Sequence, residues 1–138
     1  MKKIVISAFL GLIIFMGCAG VSDIYKDLPN GYVYISESSM QKSIIFEDAN
    51  SIEQQSKNYI PCKILEYKYD ENYIVAKIKF HYNMECIVGF KESKRLKEGK
   101  VYYYIIDTVK NIRYGEFDTY EKFIEKIQKL HVSLSLDK

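Results

Sequence analysis

The feature that most constrains the fold is an alternating pattern in residues 62–82. Its second half places one apolar set on a common side: Ile74, Ala76, Ile78, Phe80 and Tyr82. A period of two is typical of a strand with one buried face. Residues 64–69 alternate as well, with Leu65, Tyr67 and Tyr69 on one side. The Asp-Glu-Asn segment at 70–72 favours a tight turn, so the pattern predicts an antiparallel hairpin.

Other stretches are rich in residues that favour strands. Residues 31–36 and 43–47 carry consecutive β-branched and aromatic side chains. Residues 101–106 are apolar on both faces, which is typical of a central strand. Residues 112–114 are expected to return from the turn that follows, with Gly115 ending that strand. Residues 87–90 are expected to add a further short strand.

The C-terminal region carries a helical pattern. Its apolar residues recur at helical spacing: Tyr120, Phe123, Ile124, Ile127 and Leu130. Asp118 fits the N-cap, and Glu121 would complete a capping box. Residues 132–136 would form either a last short strand or a docked tail. The predicted fold is α+β, mostly β. It has a single antiparallel sheet of about five or six strands, flat or curled towards a half-barrel, with one C-terminal amphipathic helix on one face.

The first eighteen residues resemble an export signal. Lys2 and Lys3 precede a short apolar run over residues 4–16, followed by Gly17 and Cys18. This run is shorter than the roughly 20 apolar residues of a membrane span. The Gly-Cys ending resembles the bacterial lipobox, in which the cysteine receives a diacylglyceryl group and the chain is cut before it. An uncleaved anchor and an ordinary cut near residues 19–20 are the alternatives.

These observations predict the organisation of the chain. Residues 1–17 are a lipoprotein signal peptide, residues 18–30 a lipidated N-terminus and short tether, and residues 31–138 one globular domain. Removing 17 of the 138 residues leaves 121, which is enough for a buried core. The formal net charge of +2 falls to 0 without Lys2 and Lys3. A neutral domain offers no basic field to attract nucleic acid.

The remaining cysteines are Cys62 and Cys86. An exported compartment permits a disulfide between them. With the hairpin turn centred on Glu71, Cys62 lies opposite Phe80, six residues short of Cys86. Two separate buried thiols are therefore favoured, although a bulge or a curled sheet would allow the bridge.

No pattern in the sequence predicts a catalytic, cofactor-binding or metal-binding site. His81 falls on the polar face of a strand and His131 near a helix end, without the ligand spacing of a zinc site. The thirteen tyrosines allow two interpretations. They line either a half-buried sheet or an exposed aromatic platform for sugars or peptides.

Several segments resemble a family of small bacterial lipoproteins known only as a domain of unknown function. They are "DLPNGYVY", "ILEYKYDENYIVAKI" and "YYYIIDTVKNIRYGEFDTYEKF". The resemblance implies an aromatic strand, an Asn-containing turn, a return strand and a terminal helix, and it implies no activity.

Two classes of function follow. The first is a non-enzymatic lipoprotein on the extracytoplasmic side of the cell membrane that binds an envelope protein, a peptide or a toxin. The second is a small envelope enzyme. An aromatic or apolar open sheet face would favour the first class, and a cleft lined by His81, Cys86 and a carboxylate would favour the second.

Overall fold

The computed structural model describes residues 24–47, 58–82 and 95–138. Within these ranges the chain forms seven strands, a 3-10 turn at Pro29–Gly31 and one α-helix. The strands are β1 (Ile24–Asp27), β2 (Tyr32–Ser36), β3 (Lys42–Phe46), β4 (Ile64–Tyr69), β5 (Tyr73–Lys79), β6 (Val101–Asp107) and β7 (Ile112–Phe117); the helix is α1 (Tyr120–Lys129). The α+β class, mostly β, is confirmed.

The strands form two antiparallel sheets, so the expectation of a single sheet is wrong. The first sheet has the order β1-β2-β3, and the second has the order β4-β5-β6-β7. Among the described residues, one isolated bridge, Ile44 with Ile60, joins β3 to the chain that leads into β4. Alternation along a strand shows which face is buried, but it does not show which edges pair. That choice separates two stacked sheets from one continuous sheet.

The first core cluster joins the two sheets. Tyr32 and Ile44 from the first sheet and Ile74, Ile78 and Tyr104 from the second have no exposed surface. Side chains that leave water in this way stabilise the fold by about 25 cal/mol for each Å² of apolar surface buried. The sheets are therefore held together by side-chain packing.

The second core cluster lies between the second sheet and α1. Val75, Ile105 and Phe123 are fully buried there, and Ile127 is almost so. This confirms that the helix packs on one sheet face through the residues predicted to be buried. It also confirms that β6 is central, because Tyr104 and Ile105 enter different clusters. Val132 and Leu136 complete the cluster as a docked tail without strand structure.

The β4–β5 hairpin forms with a bulge. Near the turn Tyr69 pairs with Ile74, whereas Ile64 pairs with Ile78, so the register shifts by one residue between Ile64 and Glu66. The expected register, centred on Glu71, holds only at the far end of the hairpin. Leu65 is the extra residue and is exposed, so it does not share the face of Tyr67. Sequence alternation cannot predict a bulge, because the bulge restarts the period of two.

The C-terminal boundaries differ from those expected. Strand β7 continues through Gly115 to Phe117, with a register shift opposite Tyr104. Thr119 is the N-cap of α1 and accepts a hydrogen bond from the Lys122 amide at 3.3 Å. The predicted cap at Asp118 is wrong. The Asp118 carboxylate instead accepts a hydrogen bond from the Lys122 ammonium at 2.8 Å.

The N-terminal region is partly described. Strand β1 lies within the segment expected to be a tether, so regular structure begins before residue 31. The signal segment 1–17, Cys18, the strand expected at 87–90 and Cys86 lie outside the described residues. Of the helices described, none has the length and apolar character needed to cross a bilayer.

Candidate tyrosine groove

Three tyrosines form a row where the two sheets meet. The rings of Tyr34 and Tyr67 stack with centroids 4.5 Å apart, and the rings of Tyr67 and Tyr69 are nearly parallel at 6.4 Å. The Lys26 ammonium lies 5.1 Å from the centroid of the Tyr69 ring, within the range of a cation–π contact. Strands β1, β2 and β4 therefore each contribute to one aromatic surface.

The strand registers explain this convergence. Lys26 pairs with Tyr34 across β1 and β2, so the two residues lie side by side. Tyr67 and Tyr69 are two positions apart on β4, and alternate residues of a strand share a face. Since the bulge at Leu65 precedes both tyrosines, the two keep a common orientation towards the first sheet. Tyr67 packs partly on the first core cluster, while Tyr69 is 37% exposed.

The row borders a surface groove of about 500 Å³ lined by Lys26, Tyr67, Lys68, Tyr69 and Leu134. Leu134 arrives through the C-terminal tail. That tail is held in place because the Asp137 amide donates to the Glu66 carboxylate at 3.3 Å. A second hydrogen bond, from the Tyr120 hydroxyl to the Leu136 carbonyl at 3.2 Å, fixes the tail against the helix. We call this site the tyrosine groove.

The tyrosine groove is cationic at neutral pH. Hydrogen bonding to the Tyr69 hydroxyl, with the neighbouring phenols adding to it, raises the pKa of Lys26 above its ordinary value. Burial raises the pKa of Tyr67. The Tyr67 phenol is therefore a neutral hydrogen-bonding group, and the Lys26 ammonium stays charged. Lys68 also lines the groove, and its ammonium forms an ion pair with the Glu66 carboxylate at 3.7 Å, so Lys26 supplies the unpaired positive charge among the described lining residues.

Of the residues singled out from the sequence, His81 has a carboxylate partner, and Cys86 lies outside the described residues. His81 Nδ1 lies 2.9 Å from the Glu98 carboxylate, which also accepts a hydrogen bond from the Tyr82 amide. The Tyr82 amide, with His81 adding to it, lowers the pKa of Glu98. His131 has a φ of +56° just after the helix, far along the chain from this pair. Among the described residues, no group of three or more His, Cys, Asp or Glu side chains is placed to hold a metal ion.

Cys62 is disulfide-bonded and buried. The expectation of a free thiol at this position is therefore wrong. The other two cysteines of the chain, Cys18 and Cys86, lie outside the described residues. The expected register is confirmed only at this end of the hairpin, where Lys63 and Lys79 exchange backbone hydrogen bonds of 3.0 Å. The register argument could not follow the chain beyond residue 82.

The segments that carried the family resemblance meet at the end of the sheets that holds the turns. The Asn30 side-chain amide donates to the Thr108 hydroxyl at 2.9 Å, and this hydroxyl donates to the Asn72 carbonyl at 2.9 Å. The Tyr32 hydroxyl donates to the Asn111 side chain at 3.3 Å. These contacts connect the 3-10 turn to both hairpin turns of the second sheet. The residues of the quoted segments that make them therefore have a structural role.

A family model described as "Protein of unknown function (DUF3997)" matches residues 29–138. The chain belongs to this family. The match covers all three quoted segments apart from the first two residues of the earliest one. No curated protein and no solved structure gave a significant match.

Sequence reasoning identified the tyrosines as unusual, but it did not find the tyrosine groove. Tyr34, Tyr67 and Tyr69 were assigned to strands without any indication that two sheets bring them together. Lys26 was missed because it lay in the segment expected to be a tether. The one available signal was the pair Tyr67 and Tyr69 on a common face of β4, next to a turn.

Proposed function

We propose that this protein is a lipid-anchored, non-catalytic binding protein of the bacterial cell envelope. Its tyrosine groove would receive an extended, acidic segment of a partner protein. The groove itself, a row of stacked tyrosines beside a charged lysine, is the observation that carries the proposal. It matches the open aromatic face expected of a binding protein better than the lined cleft expected of an enzyme.

The anchor is supported by the N-terminal sequence. A charged start, a short apolar run and Gly17-Cys18 together have the order of a lipoprotein signal. Lipid on the Cys18 sulfur would leave Cys86 as the disulfide partner of Cys62. Two or more acyl chains hold a protein on a membrane, whereas one chain binds only marginally.

The choice of an acidic, extended partner rests on charge and on the strand edge. Lys26 and Lys68 line the tyrosine groove, and the Tyr67 phenol beside them is a neutral hydrogen-bonding group. Strand β4 is an edge strand, paired with β5 alone among the described strands. An edge strand next to side-chain pockets suits an extended peptide, because the backbone supplies hydrogen bonds and the pockets supply selectivity.

The enzyme alternative has weaker support. It needed a cleft with His81, Cys86 and a carboxylate. His81 does meet a carboxylate, that of Glu98, but this glutamate is 60% exposed and the pair lies on the surface. The tyrosine groove is the better supported site.

Binding can be tested with a displayed library of random peptides of about ten residues, a length that spans one strand and its flanks. We expect selected peptides to be rich in Asp and Glu and to shift the backbone NMR signals of Lys26 and Tyr69. The variant Tyr67→Ala/Tyr69→Ala should weaken binding by about tenfold or more, because each stacked aromatic contributes about 1 kcal/mol. Tyr82→Ala, which removes a tyrosine that is 59% exposed elsewhere, is the control. Selection of basic peptides, or shifts confined to another face, would contradict the proposal.

The anchor has a separate test. Cells expressing the protein can be labelled with a tagged fatty acid, and we expect label on the wild type and none on Cys18→Ser. The variant should also leave the membrane fraction or accumulate as a full-length precursor. Equal labelling of both proteins would exclude Cys18 as the attachment site.

A further inference from the structure

The strand registers align the start of β1 with a series of basic residues at one end of both sheets. Ile24 pairs with Ser36, and Ser36 pairs with Lys42. The antiparallel bridge between Ile44 and Ile60 then carries the alignment from Lys42 towards Lys63. The chain therefore enters the domain at the end where β2 ends and β3 begins.

The same end of the second sheet continues the series. Lys63 and Lys79 lie directly opposite each other and exchange both backbone hydrogen bonds at 3.0 Å. The amide after Lys79 donates to the Lys100 carbonyl at 2.9 Å, and the Lys100 amide donates to the Lys97 carbonyl at 3.1 Å. We call this group the basic end: Lys42, Lys63, Lys79, Lys97 and Lys100.

Most of the basic end is not neutralised locally. Within the described ranges, no carboxylate pairs with Lys42, Lys63, Lys79 or Lys97, and Lys100 is 3.8 Å from Asp118. The carboxylates nearby already have partners, with the exception of Glu37 in the β2–β3 turn. The carboxylates that have partners are Glu98 with His81, Glu116 with Arg95, and Asp118 with Lys122.

The opposite end of the sheets is acidic. It contains the 3-10 turn and the turns after β4 and β6, which contact one another through Asn30. Its carboxylates are Asp27, Glu47, Asp70, Glu71 and Asp107, and its basic residues are Lys26, Lys68, Lys110 and Arg113. Among the described residues, positive charge is therefore in excess at the basic end and not at this one.

We infer that the basic end is the surface that faces the membrane, where it contacts anionic lipid headgroups. This inference rests on the proposed anchor at Cys18. Five residues lie between Cys18 and Ile24, and the six steps from one Cα to the next span at most about 20 Å. The tether therefore keeps the basic end close to the bilayer, and basic residues beside an anionic surface each contribute about 1 kcal/mol of attraction. The tyrosine groove lies towards the opposite end, because Lys68 and Tyr69 end β4 beside its turn, so it stays away from the membrane.

The test attaches the protein to a bilayer through a histidine tag, so it does not depend on acylation of Cys18. The full mature chain, with a histidine tag before residue 18, is attached to nanodiscs that contain chelating lipid and a headgroup spin label. We expect the amide NMR signals of Lys63, Lys79 and Lys100 to broaden more than those of Glu71 and Val109 in phosphatidylglycerol discs. We call this excess broadening at the basic end the bias. It should weaken in high salt and in phosphatidylcholine discs, because screening and the loss of anionic lipid remove the attraction.

Two variants with the same change in charge complete the experiment. Lys63→Glu/Lys79→Glu should reduce the bias towards the basic end by about thirtyfold or more, given about 1 kcal/mol for each of the two residues. Lys110→Glu/Lys129→Glu should keep the bias. Equal broadening of both ends, or the same bias in neutral discs and in the first variant, would overturn the inference. Failure of fatty-acid labelling with the orientation intact would overturn only the anchor.

Discussion

At the scale of single residues, backbone conformation decides several positions that composition does not reveal. His131 has a φ of +56°, and the Val132 amide donates to the Ile127 carbonyl at 3.1 Å while the His131 amide donates to Gln128. This is the pattern that ends many helices, with histidine at the place where glycine is usual. The sequence placed His131 near a helix end, and the structure gives the residue a geometric role in ending that helix.

Gly115 combines a positive φ with close packing. Its φ is +108°, and a Cβ atom there would lie 2.8 Å from the Tyr103 carbonyl oxygen. We expect Gly115→Ala to lower the free energy of unfolding by at least about 2 kcal/mol, from strain and overlap together. Gly99→Ala is the matched control, because its φ is +73° with nothing within 4 Å. It should cost about 1 kcal/mol. Equal costs in urea unfolding would show that the contact with Tyr103 adds nothing.

The disulfide at Cys62 gives a second residue-scale prediction. If its partner is Cys86, the Cys18→Ser protein should show no free thiol when it is unfolded without reductant, and its mass should be two hydrogens below that of the reduced chain. The measurement is thiol titration with mass spectrometry. Two free thiols would assign the partner to Cys18 and would leave no sulfur there for a lipid.

At the scale of elements, the sequence predicted strands and faces better than connections. Residues 73–79 and 101–106 were placed correctly, because burial on one or both faces leaves a direct pattern in the chain. The helix was correct to within one residue at its start, where Thr119 and Asp118 are both suitable caps. Strand β1 was missed because a four-residue edge strand with every side chain exposed has no burial pattern.

The docking of α1 can be measured directly. Phe123 is fully buried, and its ring is stacked with that of Tyr103 at a centroid distance of 5.1 Å. Phe123→Ala should cost about 3–5 kcal/mol in the free energy of unfolding, because it leaves a cavity between helix and sheet. Ile124→Ala removes a half-buried side chain on the same helix and should cost clearly less. A cost below about 1 kcal/mol for Phe123→Ala would mean that the helix contributes little to the core.

At the scale of the whole molecule, the association of two sheets could not be derived from the sequence. The decision depends on which strand edges pair, and on contacts such as Tyr34 with Tyr67 that join residues far apart in the chain. The tyrosine groove exists only because of that association. The tyrosines are visible in the sequence, but their grouping into a groove depends on how the two sheets pack.

Tyr32 reports on the contact between the sheets. Burial, with the Asp107 charge adding to it, raises the pKa of Tyr32 to about 12. The unfolded chain ionises this phenol near pH 10, so stability is complete below that pH and is lost as the pH rises towards 12. Between about pH 9 and pH 11 the wild type should lose about 1 kcal/mol more than Tyr32→Phe. Parallel losses in chemical unfolding would show that Tyr32 titrates as it does in water.

Strand β1 gives the domain a mechanical property. A pulling force applied at residue 18 reaches β1 first among the described elements, and β1 is paired with β2 alone among the described strands. Because its four side chains are all exposed, β1 can peel away while both core clusters stay packed. Its four residues would then lengthen the tether between the membrane and the domain by about 13 Å. Strand β1 would therefore detach from β2 under a pulling force before either core cluster unfolds, and the tether would extend.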